Sequence, residues 1–117
     1  MRREDEIRLR HMLDAARDAL SFIQGRTRAD LDADRQLTLA LVKAVEIIGE
    51  AAINVADTTQ SELTQIPWPD ISGMRHRLVH AYFDIGQDIL WDTVTLDLPP
   101  LIAALEEALG GLNQVDS

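Results

Sequence analysis

Apolar residues recur at spacings of three and four over two long stretches of this chain, and that spacing restricts the possible folds more than any other feature. Leu9, Met12, Leu13, Ala16, Ala19, Leu20 and Ile23 form one run, and Leu37, Leu41, Ala44, Ile48, Ala51 and Val55 form another. A period near 3.6 residues puts each run on one face of an α-helix, whereas a strand would need strict alternation. The first helix is expected to end near Gly25. The second is expected from about Asp34 to Ala56, with Ala40, Ile47 and Ala52 widening its apolar stripe so that it is buried on more than half its girth. Composition decides what fills the space between helices. Apolar residues make up 46% of the chain and aromatic ones only 4%, so Leu, Ile, Val and Ala must build the core.

The polar stretch "DTTQSELTQ" holds at most a short turn of helix, and "IPWPD" after it marks a stop and restart, because Pro67 and Pro69 fit only before or within a first helical turn. From Asp70 a third main helix is expected to about Tyr82 or Phe83, with Ile71, Met74, Leu78 and Ala81 facing the core. Gly73 lies inside it, which implies close approach of a neighbouring helix. After the loop "DIG", Ile89, Leu90, Thr93, Val94, Leu96, Leu98, Leu101, Ile102, Leu105 and Leu109 keep helical spacing through Pro99 and Pro100. Two prolines there call for a kink or break near Asp97. The expectation is an all-α antiparallel four-helix bundle, its last helix kinked or split into two, forming one domain over residues 1–117.

Several classes are disfavoured by what the chain lacks. Without cysteine there are no disulfides and no thiolate zinc sites. No apolar run approaches the ~20 residues that span a bilayer. The start, "MRREDEIRLR", has no apolar signal-peptide core, so a cytoplasmic protein without membrane association is expected. A net charge of −9 opposes a broad nucleic-acid-binding surface. Charge is also polarised: eight of the eleven Lys and Arg residues lie within residues 2–35, and none follows Arg77.

Against that background "RHRLVHAY", residues 75–82, gathers two arginines, two of the three histidines and the one tyrosine. On a straight helix at 100° per residue His76 and His80 share a face, Arg75 and Tyr82 point the same way to within about 20°, and Arg75 and His80 diverge by about 140°. One helix therefore does not aim Arg75 and His80 at one point, unless the long Arg75 side chain curls round. A two-fold dimer that sets two such helices across a cleft would also bring them together. Guanidinium groups to hold phosphate and imidazoles to exchange protons near neutral pH are what metal-free phosphodiester cleavage needs.

The motif and its surroundings resemble a known family. "RHRLVHAYF" is similar to the signature of HEPN domains, an arginine, four residues and a histidine, and its His80-Ala81-Tyr82 extension resembles the HepT toxin branch. "VEIIGEAA" at 45–52, "IPWPDISGMRHRLVHAYFDI" at 66–85 and "LWDTVTLDLPPLIAALE" at 90–106 resemble that branch in order and spacing. The resemblance implies an all-helical homodimer acting on RNA as a metal-independent endoribonuclease toxin, without a cofactor. It further implies that Arg75 holds the scissile phosphate and that His80 acts as general acid or base while the 2′-hydroxyl attacks. The cognate antitoxin would be a minimal nucleotidyltransferase that silences the toxin by AMP transfer to Tyr82. The sequence departs from the branch at His76, where Asn is usual, which could keep a supporting polar role, add a proton carrier or alter activity.

Plainer readings stand beside these. Arg75 and His80 could form an exposed cationic face near Asp70 and Asp84, and Trp68 and Trp91 suit packing at helix ends. Glu46 and Glu50 fit a solvated face better than a groove. His76 and His80 at i, i+4 match two-histidine metal spacing, but no third ligand is evident and no metal site is expected. The alternative function is a non-catalytic helical dimer that binds a partner or ligand.

Overall fold

The computed structural model describes residues 1–74, 76 and 86–115, with the side chains of 111–115 excepted, and every regular element among them is helical. Helix α1 spans Arg3–Phe22, α2 Asp30–Ala33, α3 Arg35–Ile53 and α4 Asp57–Glu62. Helical residues 68–74 form α5, and α6 spans Gln87–Asp92, followed by a π-helical turn at Thr93–Asp97 and by α7 at Leu98–Val115. The all-helical expectation holds, as does the interruption of the last helix.

Helix α1 stops where Gly25 takes φ +75°, a left-handed conformation that a residue with a β-carbon adopts only under strain. Asp34 starts α3 by accepting the Leu37 amide N–H on Oδ1 at 3.1 Å, satisfying one of the donors a helix N-terminus leaves over. The core joins Leu9, Met12, Ala16 and Ala19 of α1 to Leu41, Ala44, Val45 and Ile48 of α3 and to Leu98, Leu101, Leu105 and Leu109 of α7. Full burial of each large aliphatic side chain stabilises the fold by ~1.5–3 kcal/mol. Asp5 near the start of α1 bonds to residues just past the end of α3, so these two helices run antiparallel. Arg28 beyond α1 pairs with Asp88 at the start of α6, and Arg17 pairs with Glu106 further back, so the last segment also runs back along α1.

The structure corrects three expectations. Ile47 is 36% exposed, and Val45 and Gly49 are buried in its place, so the inward face of α3 is rotated away from Ile47. A β-carbon built at Gly73 would meet nothing within 4 Å, so no neighbouring helix presses on it among the described residues. Ile89 and Leu96 leave the expected stripe and stand 43% and 66% exposed.

A π turn lies within this last segment. Leu90, Val94 and Leu98 are spaced by four, which drifts off a face that repeats every 3.6 residues. A wider turn absorbs the drift: the Leu98 amide N–H reaches back five residues to the Thr93 carbonyl, and all three side chains stay in the core. Leu96, two residues from both Val94 and Leu98, faces solvent. Pro99 and Pro100 follow within the first turn of α7, on its exposed side, where a missing N–H is tolerated best.

Candidate active site

The approach to the motif is firmly built. The Trp68 indole N–H donates to the carbonyls of Gln60 and Leu63, each at 3.1 Å, and anchors the start of α5 to the turn after α4. Ile66, Ile71 and Met74 are buried, and they fix which face of α5 turns inward. Pro67 can only precede the helix, and its carbonyl accepts the Ile71 N–H at 3.1 Å. His76 continues the helical conformation and is exposed. Arg75, His80 and Tyr82 lie outside the described residues, as does the whole of 77–85, so His76 is the one candidate residue whose surroundings are described. On the far side the chain re-enters at Gly86, and α6 is held by the Arg28 Nε donating to Asp88 Oδ1 at 2.6 Å.

A concavity lies between α1 and α3, about 210 Å³ in volume, lined by Arg8, His11, Ile47, Glu50, Ala51 and Asn54. A guanidinium, an imidazole, a carboxylate and an amide surround an apolar floor there. Glu50 alone had a groove role in view from sequence. Arg8 and His11 at i, i+3 and Ile47, Ala51 and Asn54 at i, i+4, i+7 carry the missed signal, since each set lies on one helix flank beside the core stripe. Among the described residues no group of three or more His, Asp or Glu side chains could hold a metal ion.

Two groups have displaced proton affinities. The Thr59 hydroxyl bond holds the Asp5 carboxyl below its usual range, helped by the Ala56 N–H and by Arg2 and Arg8, against a burial effect of opposite sign. Arg28 is raised by its bond to Asp88 and by Asp32. Both groups tie elements together rather than lining the motif.

Comparison with known proteins identifies the family. The description "Ribonuclease HepT-like" matches residues 12–108, from the middle of α1 through the motif and into α7. The chain belongs to the HepT-like ribonuclease family. A relative of this HepT-like chain in Caldanaerobacter subterraneus subsp. tengcongensis, named as a candidate RNase, is 34% identical over 101 residues, covering 86% of this chain and 90% of the relative. A protein of Thermococcus cleftensis named as a probable ribonuclease HepT is 35% identical over 94 residues, covering 77% and 86%. A candidate RNase of Methanocaldococcus jannaschii is 29% identical over 105 residues, covering 90% and 87%. No solved structure matches this HepT-like chain significantly. Among its described residues, no helix is long and apolar enough to cross a membrane.

Proposed function

We propose that this HepT-like chain is a metal-independent endoribonuclease, active as a homodimer, and the toxin of a pair whose antitoxin is a minimal nucleotidyltransferase. The observation that carries this reading is the family match over residues 12–108, a range that includes the motif with Arg75 and His80. The ribonuclease names of the relatives support it.

The chemistry follows from the residue types. A base takes the proton of an RNA 2′-hydroxyl, whose oxygen attacks the adjacent phosphorus. The bond from phosphorus to the 5′-oxygen breaks, and an acid protonates that oxygen as it leaves. The products are a 2′,3′-cyclic phosphate and a free 5′-hydroxyl. His80 is the proton carrier, since imidazole titrates near neutral pH, and the Arg75 fork stabilises the extra charge on the phosphoryl oxygens. His76 is a supporting polar residue. Silencing occurs when the Tyr82 hydroxyl attacks the α-phosphorus of ATP, with the phenolic proton passing to a base and pyrophosphate leaving. The attached AMP competes with RNA for Arg75, obstructs the groove and favours protonated His80.

The test is cleavage of a mixed-sequence RNA by purified protein with chelator present, compared with Arg75→Ala and His80→Ala proteins that remain folded. Both variants are expected to lose cleavage, and the wild-type products to end in a 2′,3′-cyclic phosphate. Unchanged cleavage in both would move the activity away from the motif, and no cleavage by the wild type would favour a non-catalytic binding module. Mass measurement after co-expression with the cognate nucleotidyltransferase should show AMP-sized increments that disappear in Tyr82→Phe. Increments that persist in that variant would exclude Tyr82 as the acceptor.

A further inference from the structure

The outer face of the last helical segment has an apolar centre and acidic ends. Leu96, Pro100 and Ala103 are all exposed, with Leu96 at 66% the most exposed large apolar residue among the described residues, and they follow one another at spacings of four and three. Asp88 and Asp92 continue the same exposed line toward the start of α6, and Glu107 continues it along α7. Asp88 is paired with Arg28, but no Lys or Arg occurs anywhere between residue 78 and the end of the sequence. Exposing a leucine to this extent forgoes its burial, and it stands out at the π turn, midway between the buried Val94 and Leu98. Insertions of this kind in helices recur at functional sites.

We infer that this face, centred on Leu96, is a docking surface for a partner protein whose own patch is apolar at its centre and ringed by Lys and Arg. Charge selects that occupant. Two copies of the face laid antiparallel about Leu96 and Pro100 would set Asp88 near Glu107, and laid parallel would set Asp92 against Asp92. Either way carboxylate meets carboxylate in a contact that excludes water, which is costly. RNA and anionic lipid are repelled for the same reason. An apolar centre with a charged rim is the ordinary anatomy of a protein interface, and rim charges of opposite sign speed and orient association. For the partner's identity the inference rests on the proposed function: it is the nucleotidyltransferase antitoxin.

The experiment measures binding between the separately purified chain and its cognate nucleotidyltransferase by calorimetry at two salt concentrations. It uses wild type, Leu96→Asp and the double variant Asp92→Lys, Glu107→Lys. All three substitutions lie at solvent-exposed positions, and thermal melting checks the fold. Wild type is expected to bind, less tightly at higher salt, and each variant is expected to lose about ten-fold or more in affinity, as truncation of a central interface anchor does. RNA cleavage and dimer mass should be unchanged in both variants. Binding within about two-fold of wild type in both would overturn the docking surface while leaving the toxin and antitoxin pairing intact. Absence of binding by the wild type would defeat the pairing itself, and the inference with it.

Discussion

A carboxylate taken out of water is stable only if its oxygens are bonded, and Asp5, 1% exposed, meets that condition through two distant partners. Its Oδ2 accepts the Thr59 hydroxyl at 2.6 Å and its Oδ1 the Ala56 amide at 3.1 Å, so one side chain of α1 fastens the start of α4. Asp5→Ala strands both donors and should cost ~1–3 kcal/mol, measured as a lower urea midpoint. The same group sets an acid limit. Because its carboxyl is held below the usual 3.8, the stability it contributes is present above that value and is lost as pH falls below it through the folded value. Wild type should lose stability steeply in that window, and Asp5→Ala less so. None of this was legible in the sequence, where Asp5 is one acid in a charged start and its partners stand 51 and 54 positions away.

At the scale of the element, periodicity read the helices well and their rotation less well. Leu9, Met12, Leu41 and Ile48 were legible because each lies at the centre of its stripe. Ile47 was misplaced because it lies at the edge of one, where a bundle can turn either neighbour inward. Ile89 and Leu96 were misplaced for a different reason: once Leu90, Val94 and Leu98 face inward, Ile89 and Leu96 lie about 140° and 200° from Val94 and cannot share their face. Gly73 gives a prediction at this level. Its place for a β-carbon is empty within 4 Å, so Gly73→Ala should raise the melting temperature, by the equivalent of about 0.5–1 kcal/mol from reduced backbone freedom. A fall in stability together with dissociation of the proposed dimer would mean that another copy of the chain packs against that helix.

Over the whole molecule, apolar residues are left on the surface of several helices: Ile7 on α1, Leu39, Ile47 and Ile53 on α3, Ile89 on α6. Light scattering at micromolar concentration should give twice the 13.1 kDa mass of the chain, and a monomer there would contradict the proposed homodimer. RNA affinity should fall only shallowly with salt, since a chain of net charge −9 can neutralise few phosphates. The bundle was legible in this sequence because burial imposes a repeat on every helix. The motif stood out as chemistry, but its roles came from resemblance, because catalysis depends on which side chains converge and no repeat encodes that. The π turn has a consequence for how such a chain can vary in length. Deleting Leu96 alone would shorten the reach from Leu98 to Thr93 from five residues to four and restore an ordinary helical turn with Val94 and Leu98 still facing inward. Natural variants one residue shorter at this point should therefore keep the bundle and lose the outward leucine, so that lineages can change what they associate with without having to refold.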